Sequence, residues 1–360
     1  MPPPQVAWRK DLVVHVMLRT ARNRRHPVRC SPVPALLVGL TLLLSACGAG
    51  DAAGDAAAQT GDDLAIVATT TILGDVTRNV AGDLAEVSVL MPPGADPHGF
   101  EPSAQQLAQM QDADLVVANG ADLEAQLTDA LAEVERAGVP VFRATEHIDT
   151  LTFEGHDAHA DAHGHDDAHA DESDAAVGDG QVDPHFWWDP TRMADVVRAL
   201  GQRLATLADG AGASEAAGAR AADYAQRLAA VDRDVEQLLA AVPADERRLV
   251  TNHEAFGYFA DRYGFEIVGT VIPSVSTGAE PSARDLEELA HTIEQQQVDA
   301  IFTETIASDA LADALATEVG ADLEVVELHS DALGDEGSGP STYVDLLRTN
   351  ARRIHQALAG

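Results

Sequence analysis

Short apolar runs alternate with amphipathic stretches along most of this chain. Leu64 to Ala68, Glu86 to Leu90, Asp114 to Ala118 and Val139 to Phe142 read as strands. Helices are predicted between them over about 72–80, 104–111 and 123–136, with Ser103 placed to cap the second. A second series follows residue 243. Its strands are Leu249 to Thr251, Glu266 to Val271, Ala300 to Thr303 and Glu324 to Leu328. Its helices are predicted to start within Asn252 to Phe259 and to cover 282–297, 308–318 and 342–358. This alternation predicts an α/β fold of two lobes, each a mostly parallel four-stranded sheet with flanking helices. Two long helical patterns, 191–208 and 214–241, separate the series. In the second, Tyr224, Leu228, Val231, Val235, Leu238 and Val242 form one apolar face. At 1.5 Å per residue it reaches roughly 42 Å, enough to link two lobes.

The N-terminal part lies outside this pattern. Arg22, Arg24, Arg25 and Arg29 precede an apolar run from Ala35 to Leu44. A run of about ten residues is too short to span a bilayer but fits a signal-peptide core. It ends in Leu44-Ser45-Ala46-Cys47-Gly48, a small-residue cleavage site followed at once by cysteine, which resembles a bacterial lipoprotein box. Residues 1–47 are therefore expected to act as a lipoprotein signal peptide, with lipid carried on Cys47, and 48–61 as a flexible tether. The remaining boundaries are 62–210 for the first lobe, 211–243 for the linking helix and 244–360 for the second lobe. Residues 154–181 interrupt the first lobe. They are acidic, His-rich and nearly free of large apolar side chains, and are expected to form a disordered surface loop.

Composition narrows the chemistry. The chain has 360 residues, 46% of them hydrophobic, and a formal net charge of −36, which argues against nucleic acid or anionic lipid headgroups as partners. It has 2 cysteines, and Cys30 falls in the segment to be removed. The exported protein would then have no disulfide, and any metal would be bound through nitrogen and oxygen.

The candidate donors are histidines on stiff loops. Asp183-Pro184-His185-Phe186-Trp187-Trp188-Asp189-Pro190 holds two of the chain's 3 tryptophans and is bracketed by prolines. Directly upstream run His156, His159, His163, His165 and His169, a composition suited to auxiliary metal capture. His98 follows a proline in a second Pro- and Gly-dense loop, and His253 follows a strand in the second lobe. Ligands gather beyond the carboxyl ends of strands in open parallel sheets, so the three histidines could meet in a cleft between lobes. A fourth, oxygen donor could come from Asp331 or Glu304, with Asp331 on the loop of more direct reach. Three imidazoles and one carboxylate suit zinc, manganese prefers more carboxylate oxygen, and copper or nickel could also bind.

Five segments in order carry a resemblance: Asp96 to Ser103, Asp183 to Pro190, His253 to Phe259, Ile301 to Glu304 and Asp331 to Gly334, behind the lipoprotein box. Over roughly 62–360 the chain resembles the metal-ion solute-binding lipoproteins of ATP-binding-cassette importers, the zinc and manganese group. The resemblance implies two α/β lobes joined by one long helix, with the ion between them on His98, His185, His253 and Asp331. Histidine at the third place and the His-rich tract resemble the zinc members. Glu304 would orient an imidazole, and His329 could compete with Asp331 as donor. The implied protein is an extracytoplasmic, lipid-anchored monomer that carries Zn2+ as cargo to a membrane permease, with a zinc chaperone as a further partner. A manganese receptor on the same fold is the alternative. A zinc hydrolase is a more distant one, because Gly257 stands where the His-Glu-x-x-His motif needs its second histidine.

Overall fold

The computed structural model describes residues 64–153, 180–208, 210–320, 323–335, 337 and 339–359. The expected signal peptide with Cys47, the tether, and the tract bearing His156, His159, His163, His165 and His169 lie outside the described residues.

The first lobe opens with β1 (Leu64–Ala68) and α1 (Thr71–Ala81), whose first turn is capped by the Thr70 hydroxyl accepting from the Leu73 amide. β2 (Ala85–Val89) leads through the Pro-rich loop into α2 (Ala104–Gln111), where Ser103 and Gln106 form a reciprocal capping box. β3 (Leu115–Ala118), α3 (Thr128–Arg136) and β4 (Val141–Arg143) complete it. α3 starts later than the predicted 123 because Ala121 and Asp122 adopt positive φ and a 3-10 turn at Ala125–Leu127 intervenes. The strands pair in parallel in the order β2-β1-β3-β4.

Two short strands, β5 (Thr152–Phe153) and β6 (Gln181–Val182), pair antiparallel and so bring the two flanks of 154–179 together. α4 (Pro190–Leu207) begins with proline at its first position and Asp189 as its cap. α5 (Ala211–Leu239) is 29 residues, about 43 Å, and turns Ala217, Ala221, Tyr224, Ala225, Leu228, Val231, Val235 and Leu239 inward. Small residues let α4 and α5 approach closely: a Cβ added at Gly201 would lie 2.4 Å from the Ala221 Cβ.

The second lobe comprises β7 (Arg248–His253), α6 (Gly257–Tyr263), β8 (Glu266–Ile272), α7 (Ala283–Gln296), β9 (Ala300–Glu304), α8 (Ala310–Val319), β10 (Glu324–Leu328) and α9 (Tyr343–Leu358). Its strands are also parallel, in the order β10-β9-β7-β8. Numbered within each lobe, both sheets read 2-1-3-4, so the lobes share a topology that no sequence repeat announces. The helix predicted to begin near Asn252 begins instead at Gly257, because β7 is a central strand whose pairing runs on to His253 opposite Ile272. α5 packs against α1 and α4 on the first-lobe side and against α9.

One apolar core is common to both lobes. It runs from Ile66, Ile72 and Trp187 through α5 to Phe256, Phe302 and Ile354, while two smaller clusters lie apart from it, one drawn from the first lobe and one from the second. An aromatic seam crosses the junction: Trp188 lies 4.4 Å from Phe256 and 6.1 Å from Phe259, ring centroid to centroid. No helix among the described residues is long and apolar enough to cross a membrane. Leu228 is fully buried on the shared face of α5. Leu228→Ala is therefore expected to destabilise the protein by about 2–5 kcal/mol, read as a lower denaturation midpoint.

Candidate metal centre

The predicted histidines sit beyond the carboxyl ends of the sheets. His98 is on the loop after β2, His185 follows β6, His253 ends β7 and Asp331 follows β10. Among the described residues these four form one group whose nitrogen and oxygen atoms all lie within 4.8 Å of one another. The Nε2 atoms of His98 and His185 are 3.4 Å apart, and those of His185 and His253 3.2 Å. Asp331 Oδ2 lies 3.3 Å from His98 Nε2 and 3.6 Å from His253 Nε2. His185 and His253 are 0% exposed, Asp331 2% and His98 7%, so His98 stands nearest to solvent.

Each histidine rests its backbone N–H on a carboxylate. His98 donates to Asp96 Oδ1 at 2.9 Å, His185 to Asp183 Oδ1 at 2.9 Å and His253 to Glu304 Oε1 at 3.1 Å. Asp183 Oδ1 also meets His185 Nδ1 at 2.7 Å, and Glu304 Oε1 meets His253 Nδ1 at 2.8 Å. An ionised carboxylate only accepts, so both Nδ1 atoms carry the hydrogen and both Nε2 lone pairs point inward. Two lone pairs facing each other at 3.2 Å repel unless a proton or a cation lies between them. Gly257 makes room for this arrangement, since a Cβ there would lie 2.7 Å from Asp183 Oδ2.

Asp331 is held by its backbone neighbours instead. Trp187 Nε1 donates to the Ser330 carbonyl at 3.0 Å, and Leu333 is bonded through its N–H to Thr71 Oγ1 at 2.8 Å and through its carbonyl to the Gly94 N–H at 3.0 Å. Neither buried carboxylate oxygen of Asp331 has a well-aligned hydrogen bond, and the nearest polar atoms are the ring nitrogens of His98 and His253. A buried anion without donors is costly unless positive charge stands beside it. Burial alone would raise its pKa, but His253, His98 and His185 outweigh that and hold it well below the usual carboxylate range. For His253, burial opposes the charge, yet Glu304 and Asp331 push its pKa up to about 9. Without a cation, the cluster keeps a proton in its place.

His329 and Glu304 do not join the four. The His329 backbone is clamped on both sides by Asn350, which accepts from its N–H at 3.0 Å and donates to its carbonyl at 2.6 Å. Its ring packs against Gly339, where a Cβ would come within 2.8 Å of the imidazole. Sequence reasoning assigned no role to Asp96, Asp183, Asn350 or Thr71. The repeated triplet Asp-Pro-His, at 96–98 and 183–185, was the available signal for the first two. Proline lacks an N–H, so the histidine amide is the next donor within reach of the aspartate.

Two parallel-sheet lobes with a cation-sized His3Asp cluster between them define a metal-binding, solute-binding protein of the kind that serves ATP-binding-cassette importers. The chain belongs to the family described as ZnuA, zinc-uptake complex component A, periplasmic, whose profile matches residues 66–357. It is 33% identical over 336 residues to the zinc-binding protein TroA of Treponema pallidum, covering 92% of this chain and 98% of that one. The solved structure of the periplasmic zinc-binding TroA superposes with a TM-score of 0.71 at 31% identity, covering 83% of this chain and 100% of the other. The manganese-binding lipoprotein MntA of Halalkalibacterium halodurans is 28% identical over 316 residues, covering 88% of this chain and 94% of that protein.

Removing the Glu304 charge should lower the His253 pKa from about 9, since that carboxylate is the chief group raising it. In Glu304→Gln the fall is expected to be about 1–3 pH units, measured by NMR titration of the imidazole in metal-free protein.

Proposed function

We propose that this protein captures one Zn2+ between its lobes on His98, His185, His253 and Asp331, and delivers it to the permease of an ATP-binding-cassette importer. The observation that carries this reading is the buried Asp331 carboxylate, without a well-aligned hydrogen bond, set among three imidazoles. Ligand atoms about 2.0–2.1 Å from a tetrahedral centre stand about 3.3–3.4 Å apart. Four of the six separations here run from 3.2 to 3.6 Å, and all six lie within 4.8 Å. Four protein donors leave no open position for an activated water, which favours cargo over catalysis. Glu304 and Asp183 act as the carboxylates that orient the imidazoles. Cys47 anchors the protein by lipid to the outer side of the membrane, and His156, His159, His163, His165 and His169 serve as weak auxiliary donors. The protein acts as a monomer.

Manganese is the second reading, favoured by the manganese-binding relative. The single carboxylate among four donors weighs against it. A competitive titration of the exported chain lacking 156–169 separates the two. One tight zinc per chain, undisplaced by excess manganese, is the expected result, and preferential manganese binding would reverse it. His185→Ala is expected to weaken zinc by more than the 10–100-fold or so typical of orienting partners, and far more than deletion of 156–169.

The pH dependence follows from His253. Zinc must displace its proton, so below its pKa of about 9 this group alone should reduce apparent affinity about tenfold per pH unit. Affinity therefore rises with pH up to that point and then levels. Competition measured between about pH 7 and 9, with proton release on binding, checks this; a flat profile would count against the assignment.

A further inference from the structure

The His98 loop departs from the pattern of the other two histidines. Asp183 and Glu304 place one oxygen on both the backbone N–H and the ring Nδ1 of their histidines. Asp96 gives Oδ1 to the His98 N–H, but its Oδ2 accepts the Thr277 hydroxyl at 2.6 Å, from the opposite lobe. Pro97 stiffens the two-residue span between the carboxylate and the imidazole. The two loops are topological counterparts, since Asp96 follows β2 and Thr277 follows β8, the second strand of each lobe.

The Thr277 side is itself tied down. Ser274 Oγ accepts from the Ser276 N–H at 3.0 Å, Ser276 Oγ accepts from Gly278 N–H at 3.3 Å, and the Ser274 carbonyl accepts from the Glu254 N–H at 3.0 Å. The last bond joins the Thr277 loop to the residue beside His253. The hydroxyl thus fixes the most exposed of the four donors to the segment that carries a fully buried one.

Resting on the assignment of His98 as a ligand, we infer that Thr277 is a positioning residue that sets how slowly the ion leaves. Its hydrogen bond to Asp96 holds the His98 imidazole over the solvent side of the site. An ion departs when that imidazole swings away, and the latch opposes the swing. Entry uses the same opening, but encounter and dehydration of the ion limit it, so the larger effect falls on dissociation.

The test is stopped-flow release of Zn2+ from the full exported chain into excess chelator, with association measured separately. Thr277→Val keeps the shape and removes the donor. It is expected to release zinc about tenfold faster, the scale of a hydrogen bond to a charged group, with association changed by less than about twofold. Thr277→Ser should restore the original release rate, and metal-free Thr277→Val should stay folded, its unfolding midpoint lowered by no more than the loss of one hydrogen bond. Unchanged release in Thr277→Val, an equal change in both rates, or release from Thr277→Ser as fast as from Thr277→Val would overturn the inference. His185→Ala in the same assay keeps the two claims apart. Loss of zinc there with normal release in Thr277→Val rejects only the latch; tight zinc in His185→Ala rejects the site itself.

Discussion

A carboxylate and three imidazoles can be buried together only if each is fixed from behind, because no water remains to compensate a misplaced charge. The structure meets this constraint with a ring of outer acceptors. Asp96, Asp183 and Glu304 each take a histidine N–H, and the indole of Trp187 holds the loop that carries Asp331. The inner atoms are left gathered within 4.8 Å of one another. An arrangement held in this way leaves the ring nitrogens and the Asp331 carboxylate little freedom to move.

The same rigidity extends to the lobes. Trp188, Phe256 and Phe259 form a seam within a core that draws residues from both halves. Parting the lobes there would expose about 150–250 Å² for each ring, at about 25 cal/mol per Å². That is about 4–6 kcal/mol per aromatic, comparable to much of the stability of a whole domain. Wide opening of the lobes is therefore expensive. A local displacement of the His98 loop, attached through side-chain and single backbone hydrogen bonds, is far cheaper.

The sequence carried most of the architecture because its signals were local. The strand and helix runs, the Ser103 cap and the apolar face of α5 all depend on near neighbours. The four positions His98, His185, His253 and Asp331 stood out because stiff turns place them at strand ends, and the fold brings them together. What escaped was long-range. The extension of β7 to His253 depends on β8, and the His329 backbone is clamped by Asn350 from α9. The clearance at Gly257 depends on Asp183 of the other lobe, and the partnership of Thr277 with Asp96 spans the cleft. No spacing or propensity encodes a contact of that kind.

The last helix gives the centre a temporal order. α9 begins at Tyr343, whose N–H is accepted by Asp75 of α1 and whose hydroxyl donates to the Trp187 carbonyl, and it contributes the Asn350 clamp beside Asp331. A polypeptide made from its amino terminus therefore holds all three histidines long before it can fix the carboxylate. Along the chain the carboxylate is thus the last of the four to be held, and a chain cut before α9 would keep the histidines but lose the Asn350 clamp next to Asp331.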